Sequence, residues 1–388
     1  MLNVNAIKES HVQRYGKVPL VFLAPGRVNL IGEHTDYSEG FVMPAAIDFA
    51  TLAAIDPRDD QHISIYSENF SEQADFDLNT LPERPRHHWS DYPIGVFRAL
   101  VEAGVKPQGF NLTLIGDVPL GSGLSSSASV EVATAMAILG IATEGKRAGD
   151  FSLPEVALLC QRAENHFVGT QSGIMDQFVS CCGADGHALL LDCRSLSYEL
   201  APIPDGLSIV ICNSMVKHSH AGGEYNTRRA EIEAGVEILQ RHRPEVKFLR
   251  DATLSDLDQY GAEMPPNALK RCRHVVSENL RTVAAAKALE RDDLPALGRL
   301  MAESHASYRD DFEASCKEAD ILVELASREA GCIGARLTGG GFGGCTVNLV
   351  KIDEADRFSD RLVAGYLAAT GIAAEIYQCL AAAGAHRV

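Results

Sequence analysis

Residues suited to chemistry concentrate in a few short stretches. In "GIMDQF", Asp176 is an acid inside an otherwise apolar run, with Ile174 and Met175 before it and Phe178 and Val179 after it. A buried carboxylate is costly unless paired, so Asp176 is either a working group with a cationic partner or a helix cap or structural acid. In "GEHTDY", Glu33, His34 and Asp36 place acceptors and a switchable donor within a few residues. Taken alone, that cluster also fits a solvated loop. In "PLGSGLSSSASVEVA", Pro119 to Ala133, small residues make a turn that runs into an alanine-rich segment without lysine or arginine. Gly121 and Gly123 allow close backbone approach, and Ser125, Ser126 and Ser127 fall where a helix starts. Unpaired first-turn N–H groups and the helix dipole can cradle phosphates there without a cationic side chain. A serine hydroxyl can also ligate Mg²⁺, which supplies positive charge. A serine-capped tight turn is the plainer reading of the same residues.

Other nucleotide motifs are excluded. Gly140 and Gly145-Lys146 have Walker spacing, but Arg147 stands where a metal-binding hydroxyl is needed. Gly121 and Gly123 are followed by Ser126 in place of the third glycine of a dinucleotide fingerprint. At 388 residues, with 46% hydrophobic and 22% charged residues, the composition is that of a soluble globular enzyme with two domains. A formal charge of −17 argues against nucleic acid as a partner. The ten cysteines form no C-x-x-C pair, so structural thiols in a reducing cytoplasm are expected. The N-terminus lacks a signal-peptide core, and no apolar run reaches membrane-span length.

The elements that must position these residues alternate between strand-like and helix-like. "VPLVFLAPGRVNLIGEH" begins as an apolar strand that breaks at Pro25-Gly26, and "FNLTLIGDVP" reads as a second strand. Val130, Ala133, Ala137 and Ile138 have helical spacing, and "LPEVALLCQRAENHFVG" is an amphipathic helix. "LSIVICNS" is a buried strand near a boundary around residue 205. Beyond it lie helices in "EYNTRRAEIEAGVEILQRH" and "EADILVELASRE". "GARLTGGGFGGCTVNLV" joins a glycine-rich loop to a strand. A helix, "EADRFSDRLVAGYLAAT", and a last strand, "AAEIYQC", follow. The interleaving is not in regular β-α-β units, so an α+β fold with mixed sheets is expected.

The loop P-x-G-x-G-L-S-S-S-A, residues 119–128, resembles the phosphate-binding motif of the GHMP kinases. "LTGGGFGGCTVNLV" is similar to their C-terminal glycine-rich loop. "LAPGRVNLIGEHTDYSEGFVMPAAID" resembles the signature of the galactokinase family nearly residue for residue. "GIMDQF", "CRSLSYELAPIP", "VKHS" and "GEYNTRR" follow in the family's order, so the resemblance spans almost the whole chain. It implies a two-domain fold, with a ribosomal-protein-S5-domain-2-like N-terminal domain (1–205) and a ferredoxin-like C-terminal domain (206–388). The active site would lie in the cleft between them.

The implied reaction is ATP-dependent phosphorylation of α-D-galactose at the C1 hydroxyl, by direct in-line transfer without a phosphoenzyme. By resemblance, Glu33, His34, Asp36, Gly173, Asp176 and Tyr225 bind the sugar. Asp176 is the catalytic base, and Arg27 pairs with it and stabilises charge on the transferred group. Pro119, Gly121, Ser122, Gly123, Leu124, Ser125, Ser126, Ser127 and Ala128 bind ATP, with Trp89 beside the adenine. Ser126 and Glu164 hold Mg²⁺. Read without the family, Glu164 also fits a solvent-facing helical glutamate, and Trp89 fits a core residue equally well. A cytoplasmic monomer without membrane or nucleic-acid partners is expected. Ser38-Glu39 and Gly340 depart from commoner family residues without removing a functional group. The alternatives are a kinase for N-acetylgalactosamine or arabinose, which turns on room at the sugar's C2, and a non-catalytic sugar sensor. The intact loop, Asp176 and Arg27 favour catalysis.

Overall fold

The structure, a computed structural model, describes residues 2–119, 121–170, 172–217 and 221–388, with side chains at all of these except 148, 217, 221, 222 and 225. The first strands are β1 (Leu20–Asn29), β2 (Phe41–Val42), β3 (Pro44–Pro57), β4 (His62–Ser67), β5 (Glu72–Asp77), β6 (Phe110–Gly116), β7 (His187–Asp192) and β8 (Tyr198–Pro202). Then come β9 (Leu207–Lys217), β10 (Cys332–Thr338), β11 (Gly343–Lys351), β12 (Glu375–Cys379) and β13 (His386–Arg387). They form a six-stranded sheet in the order β13-β1-β3-β6-β4-β5, a four-stranded sheet β10-β11-β9-β12 and a three-stranded sheet β2-β7-β8. Only the β4–β6 pairing is parallel among the described strands. The architecture is α+β in two domains.

β1 and β3 read as nearly unbroken apolar runs because the sheet is covered on both faces. Phe22, Ala53 and Ile55 face a core shared with the helices Asp91–Glu102 and Ser126–Ile141. Val21, Leu52 and Ala54 alternate to the other face, under Ile7 of the helix Val4–Tyr15. The helix Ser126–Ile141 is apolar nearly all round and correspondingly buried. On this helix the buried Ser129 hydroxyl donates to the Ala24 carbonyl at 2.9 Å and bonds to Thr51 at 2.7 Å. A further core joins Val28 and Ile31 of the first half to Ile209, Ile211 and Val347 of the second, so the two sheets meet over a packed apolar interface.

The expected break at Pro25-Gly26 does not occur. β1 continues through it with a register shift against β3, an irregularity that accommodates a proline. Gly26 is needed because the phosphate loop crosses there: a Cβ would fall 2.7 Å from the Leu124 carbonyl oxygen. The Arg27 amide donates to that same carbonyl at 3.1 Å. The glycine-rich segment after Thr338 has a strand on both sides, forming the antiparallel β10–β11 pair. β12 is not the last strand, since β13 returns to pair with β1. The segment before it also lies on the first half, through Ala382 to Ala46 (2.9 Å) and Ala385 to Ser180 (2.8 Å). No helix among the described residues is long and apolar enough to cross a membrane.

Candidate active site

The phosphate loop owes its shape to positive φ at alternate residues: Gly121 (69°), Gly123 (76°) and Ser125 (61°). Ser125 precedes the helix Ser126–Ile141 but makes no side-chain capping bond, which leaves first-turn N–H groups for a ligand. Leu124 and Ala128 are buried and anchor the turn, and Ser122 closes it on the Pro119 carbonyl at 2.6 Å. The three successive serines diverge. Ser125 donates to Asp176 Oδ2 at 2.5 Å. The Ser127 hydroxyl interacts with Glu164. Ser126 and Ser127 line a cavity of about 270 Å³ with Trp89, Tyr92, Phe70 and Val130. There the Trp89 ring lies nearly parallel to Phe70, 6.1 Å away, with its indole N–H on Glu72 at 2.9 Å.

A second cavity, of about 450 Å³, collects Arg27, Glu33, His34, Asp36, Gly173 and Asp176. Arg27 binds Asp176 in a two-pronged pair, Nε to Oδ1 at 2.7 Å and Nη2 to Oδ2 at 2.8 Å. Its remaining nitrogen, Nη1, donates to the Gly123 carbonyl at 2.5 Å. Glu33 is 3% exposed, and its Oε1 accepts from Arg336 (3.1 Å), Thr338 (3.0 Å) and the Gly339 amide (2.9 Å). The acidic loop is thereby tied to the glycine-rich segment after β10.

His34 meets the hydroxyls of Tyr37 at 3.0 Å and Tyr308 at 2.9 Å, and stacks on Phe312. Burial, aided by the nearby His274, lowers its pKa to about 3, so the ring is neutral. Burial and then the charge of Asp176 raise Asp36 to about 6. Gly173 is held against this carboxyl: a Cβ there would lie 1.7 Å from Asp36 Oδ2, so only glycine fits. Tyr225 belongs to the helix Ala221–His242, but its side chain lies outside the described ones.

Glu164 is not solvent-facing. It opens a π-helical turn, Glu164–Val168, and is 6% exposed. Its Oε2 accepts from Ser172 at 2.5 Å and Gln177 at 2.8 Å. Gln177 also donates to the fully buried Glu131 at 2.9 Å, so one amide bridges two carboxyls. Burial raises the pKa of both acids, most strongly that of Glu131, which Glu164 pushes further. The Ser127 hydroxyl lies beside Glu164, and Ser126 and Ser127 both line the Trp89 cavity.

Comparison with known proteins decides the family. Residues 9–57 match the galactokinase galactose-binding signature, 91–184 the GHMP kinase N-terminal domain and 285–367 the GHMP kinase C-terminal region. A galactokinase of Chloroflexus aggregans is 46% identical over 99% of this chain and 97% of its own. One from Roseiflexus sp. is 44% identical, covering 100% of this chain and 98% of its own. The crystal structure of Lactococcus lactis galactokinase complexed with galactose superimposes with a TM-score of 0.92 at 34% identity, covering 99% and 100% of the two chains. The chain belongs to the galactokinase family. More distantly, the Methanococcus jannaschii mevalonate kinase shares the GHMP fold, with a TM-score of 0.65 at 17% identity over 95% and 99% of the chains.

Within this galactokinase-family chain, the structure brings together Arg27, Glu33, His34, Asp36, Gly173 and Asp176 in one cavity and Trp89 with Ser126 and Ser127 in the other. Sequence reasoning missed Glu131, Gln177 and Arg336. Glu131 sits in "SVEVA" and Arg336 in "GARLT", where a lone charge on a helix or strand looks like a solvated face. Both are fully buried.

Proposed function

We propose that this protein phosphorylates α-D-galactose at the C1 hydroxyl with ATP, giving α-D-galactose 1-phosphate and ADP. The observation that carries the reading is the position of Asp176. It lines the cavity of Glu33, His34 and Asp36, and it also accepts a hydrogen bond from Ser125 of the phosphate loop. A base placed there touches both the acceptor sugar and the donor phosphates.

Asp36 and the backbone at Gly173 orient the sugar hydroxyls. Glu33 assists through Oε2, which has no protein partner among the described residues. The neutral His34 ring, engaged by two phenols, shapes the wall. Asp176 accepts the C1 proton, and Arg27 fixes the carboxylate and stabilises charge developing on the phosphoryl group. Glu164 and Ser126 would hold the Mg²⁺ ion that comes with ATP, as a carboxylate and a hydroxyl at the phosphate loop, with the Ser127 hydroxyl beside Glu164. No cluster of three or more His, Cys, Asp or Glu side chains forms a metal site among the described residues. Bound with ATP, Mg²⁺ would neutralise charge on the β- and γ-phosphates.

The decisive assay is ADP release by the purified protein with galactose, glucose, N-acetylgalactosamine or arabinose. Galactose is expected to give the highest kcat/KM, and preference for another sugar overturns the substrate assignment. We read the protein further as a cytoplasmic monomer without membrane or nucleic-acid partners, with its domain boundary near residue 205.

Two further outcomes follow from the geometry. Asp36 is half-protonated near pH 6, whereas the unfolded chain titrates it near 3.8. The folded state therefore binds the extra proton, and this group alone lowers stability as pH rises between those values. Sugar binding runs the opposite way, because the carboxylate is the better hydroxyl acceptor. The KM for galactose should fall as pH rises from about 5 to about 7, and Asp36→Asn should flatten that dependence. A pH-independent KM in the parent protein would exclude Asp36 as the titrating acceptor.

Trp89 is the sole tryptophan, so its fluorescence reports on the 270 Å³ cavity directly. ATP addition should change the emission, and Trp89→Ala should raise the KM for ATP about threefold to tenfold through lost stacking. Unchanged emission at saturating ATP would place the base elsewhere.

A further inference from the structure

Ser125, Asp176, Arg27 and Gly123 close a ring of hydrogen bonds. Gly123 O accepts from Arg27 Nη1, Arg27 Nε and Nη2 grip the two oxygens of Asp176, and Ser125 Oγ returns to Asp176 Oδ2. Two phosphate-loop residues, two positions apart, thus hold the base, one through the arginine and one directly. A carboxylate offers about four lone-pair directions. Arg27 uses one on each oxygen, and Ser125 takes the second on Oδ2. On Oδ1 only the Arg27 Nε contact exists among the described residues, and Asp176 is 27% exposed toward the cavity.

We propose that Ser125 is a positioning residue for phosphoryl transfer: its hydroxyl occupies Asp176 Oδ2 and so makes Oδ1 the oxygen that receives the sugar's C1 proton. The proposal rests on the reading of the site as a galactose kinase. In the step, the C1 O–H bond breaks and its proton moves to Oδ1. The C1 oxygen bonds to the γ-phosphorus, and the bond from that phosphorus to the bridging oxygen breaks, its electron pair leaving with ADP. Ser125 is not an ordinary helix cap, since it makes no capping bond. It also sits at φ 61°, ψ 48°, a conformation unfavourable for a residue with a Cβ. The hydroxyl on Asp176 is what this backbone delivers. Because the same loop receives the triphosphate, seating the nucleotide and aiming the base are one structural event.

The test compares Ser125→Gly and Ser125→Ala in the full chain, by steady-state kinetics with galactose and ATP, ATP titration of Trp89 fluorescence and thermal unfolding. Both variants lose the hydroxyl, but glycine adopts the left-handed backbone freely and alanine does not. Both are expected to lose kcat about tenfold to a hundredfold. The KM values for galactose and ATP stay near those of the parent, and the glycine variant unfolds at the parent temperature. Near-parent kcat in Ser125→Gly, with loss only in Ser125→Ala, would show that the backbone alone matters and overturn the proposal. A raised KM for ATP with unchanged kcat would overturn it too, by making Ser125 a nucleotide ligand only. If the parent releases no ADP with galactose, the functional reading itself fails, an outcome distinct from parental turnover with an unaffected glycine variant.

Discussion

Asp176→Asn is expected to lower kcat for galactose phosphorylation by about a hundredfold to ten-thousandfold, the range for removing a positioned general base. Asparagine keeps the size and an acceptor oxygen but neither the charge nor the basicity. Its loss also strips Arg27 of the two-pronged partner that holds it at 2.7 and 2.8 Å. The galactose KM should change far less, because the sugar keeps Glu33, His34, Asp36 and Gly173. Coupled ADP-release kinetics over a range of galactose concentrations separates the two effects. A kcat within about tenfold of the parent would mean that a loose transition state needs little proton removal, leaving alignment and charge as the main contributors.

Glu33→Ala is expected to destabilise the fold by about 3–5 kcal/mol, the cost of leaving one member of a buried ion pair unpaired. Arg336 is fully buried, and Glu33 Oε1 is the carboxylate it meets, at 3.1 Å. Thr338 and the Gly339 amide lose the same acceptor. Glu33→Gln, which keeps an acceptor without the charge, should fall between the two. Urea unfolding monitored by circular dichroism gives the midpoints. If Glu33→Ala unfolds at the parent midpoint, the ion pair carries no stability and Glu33 serves the ligand alone. Because the pair joins the acidic loop to the segment after β10, galactose affinity should drop in parallel.

How much of this was legible beforehand depended on whether a residue's partner lay nearby in the chain. The alternation in "FNLTLIGDVP" points to β6, the apolar run "LSIVICNS" to β9, and the spacing of Val130, Ala133, Ala137 and Ile138 to the helix behind the phosphate loop. Helical spacing also ran from Leu153 onward, but it did not show that the helix widens into a π turn at Glu164. A proline-glycine pair usually stops a strand, yet β1 runs through Pro25-Gly26. Here the crossing of the Leu124 carbonyl requires a residue without a side chain, and that requirement lies about a hundred residues away. The roles suggested for Glu33, Asp36, Asp176 and Arg27 came from family resemblance. Their convergence on one cavity belongs to the structure. Glu131 and Arg336 were overlooked because a lone charge in an element ordinarily faces water. Only the folded contacts show Gln177 on the one and Glu33 on the other.

The β13–β1 pairing has a consequence for biogenesis. β1 carries Arg27, and its outer edge is completed by Phe22 opposite Arg387 and Leu23 opposite His386. During synthesis this strand therefore emerges early but stays an open edge, able to pair with other chains, until residues 386–387 have left the ribosome. Nascent chains stalled short of that point are the species in which aggregation or chaperone capture should concentrate.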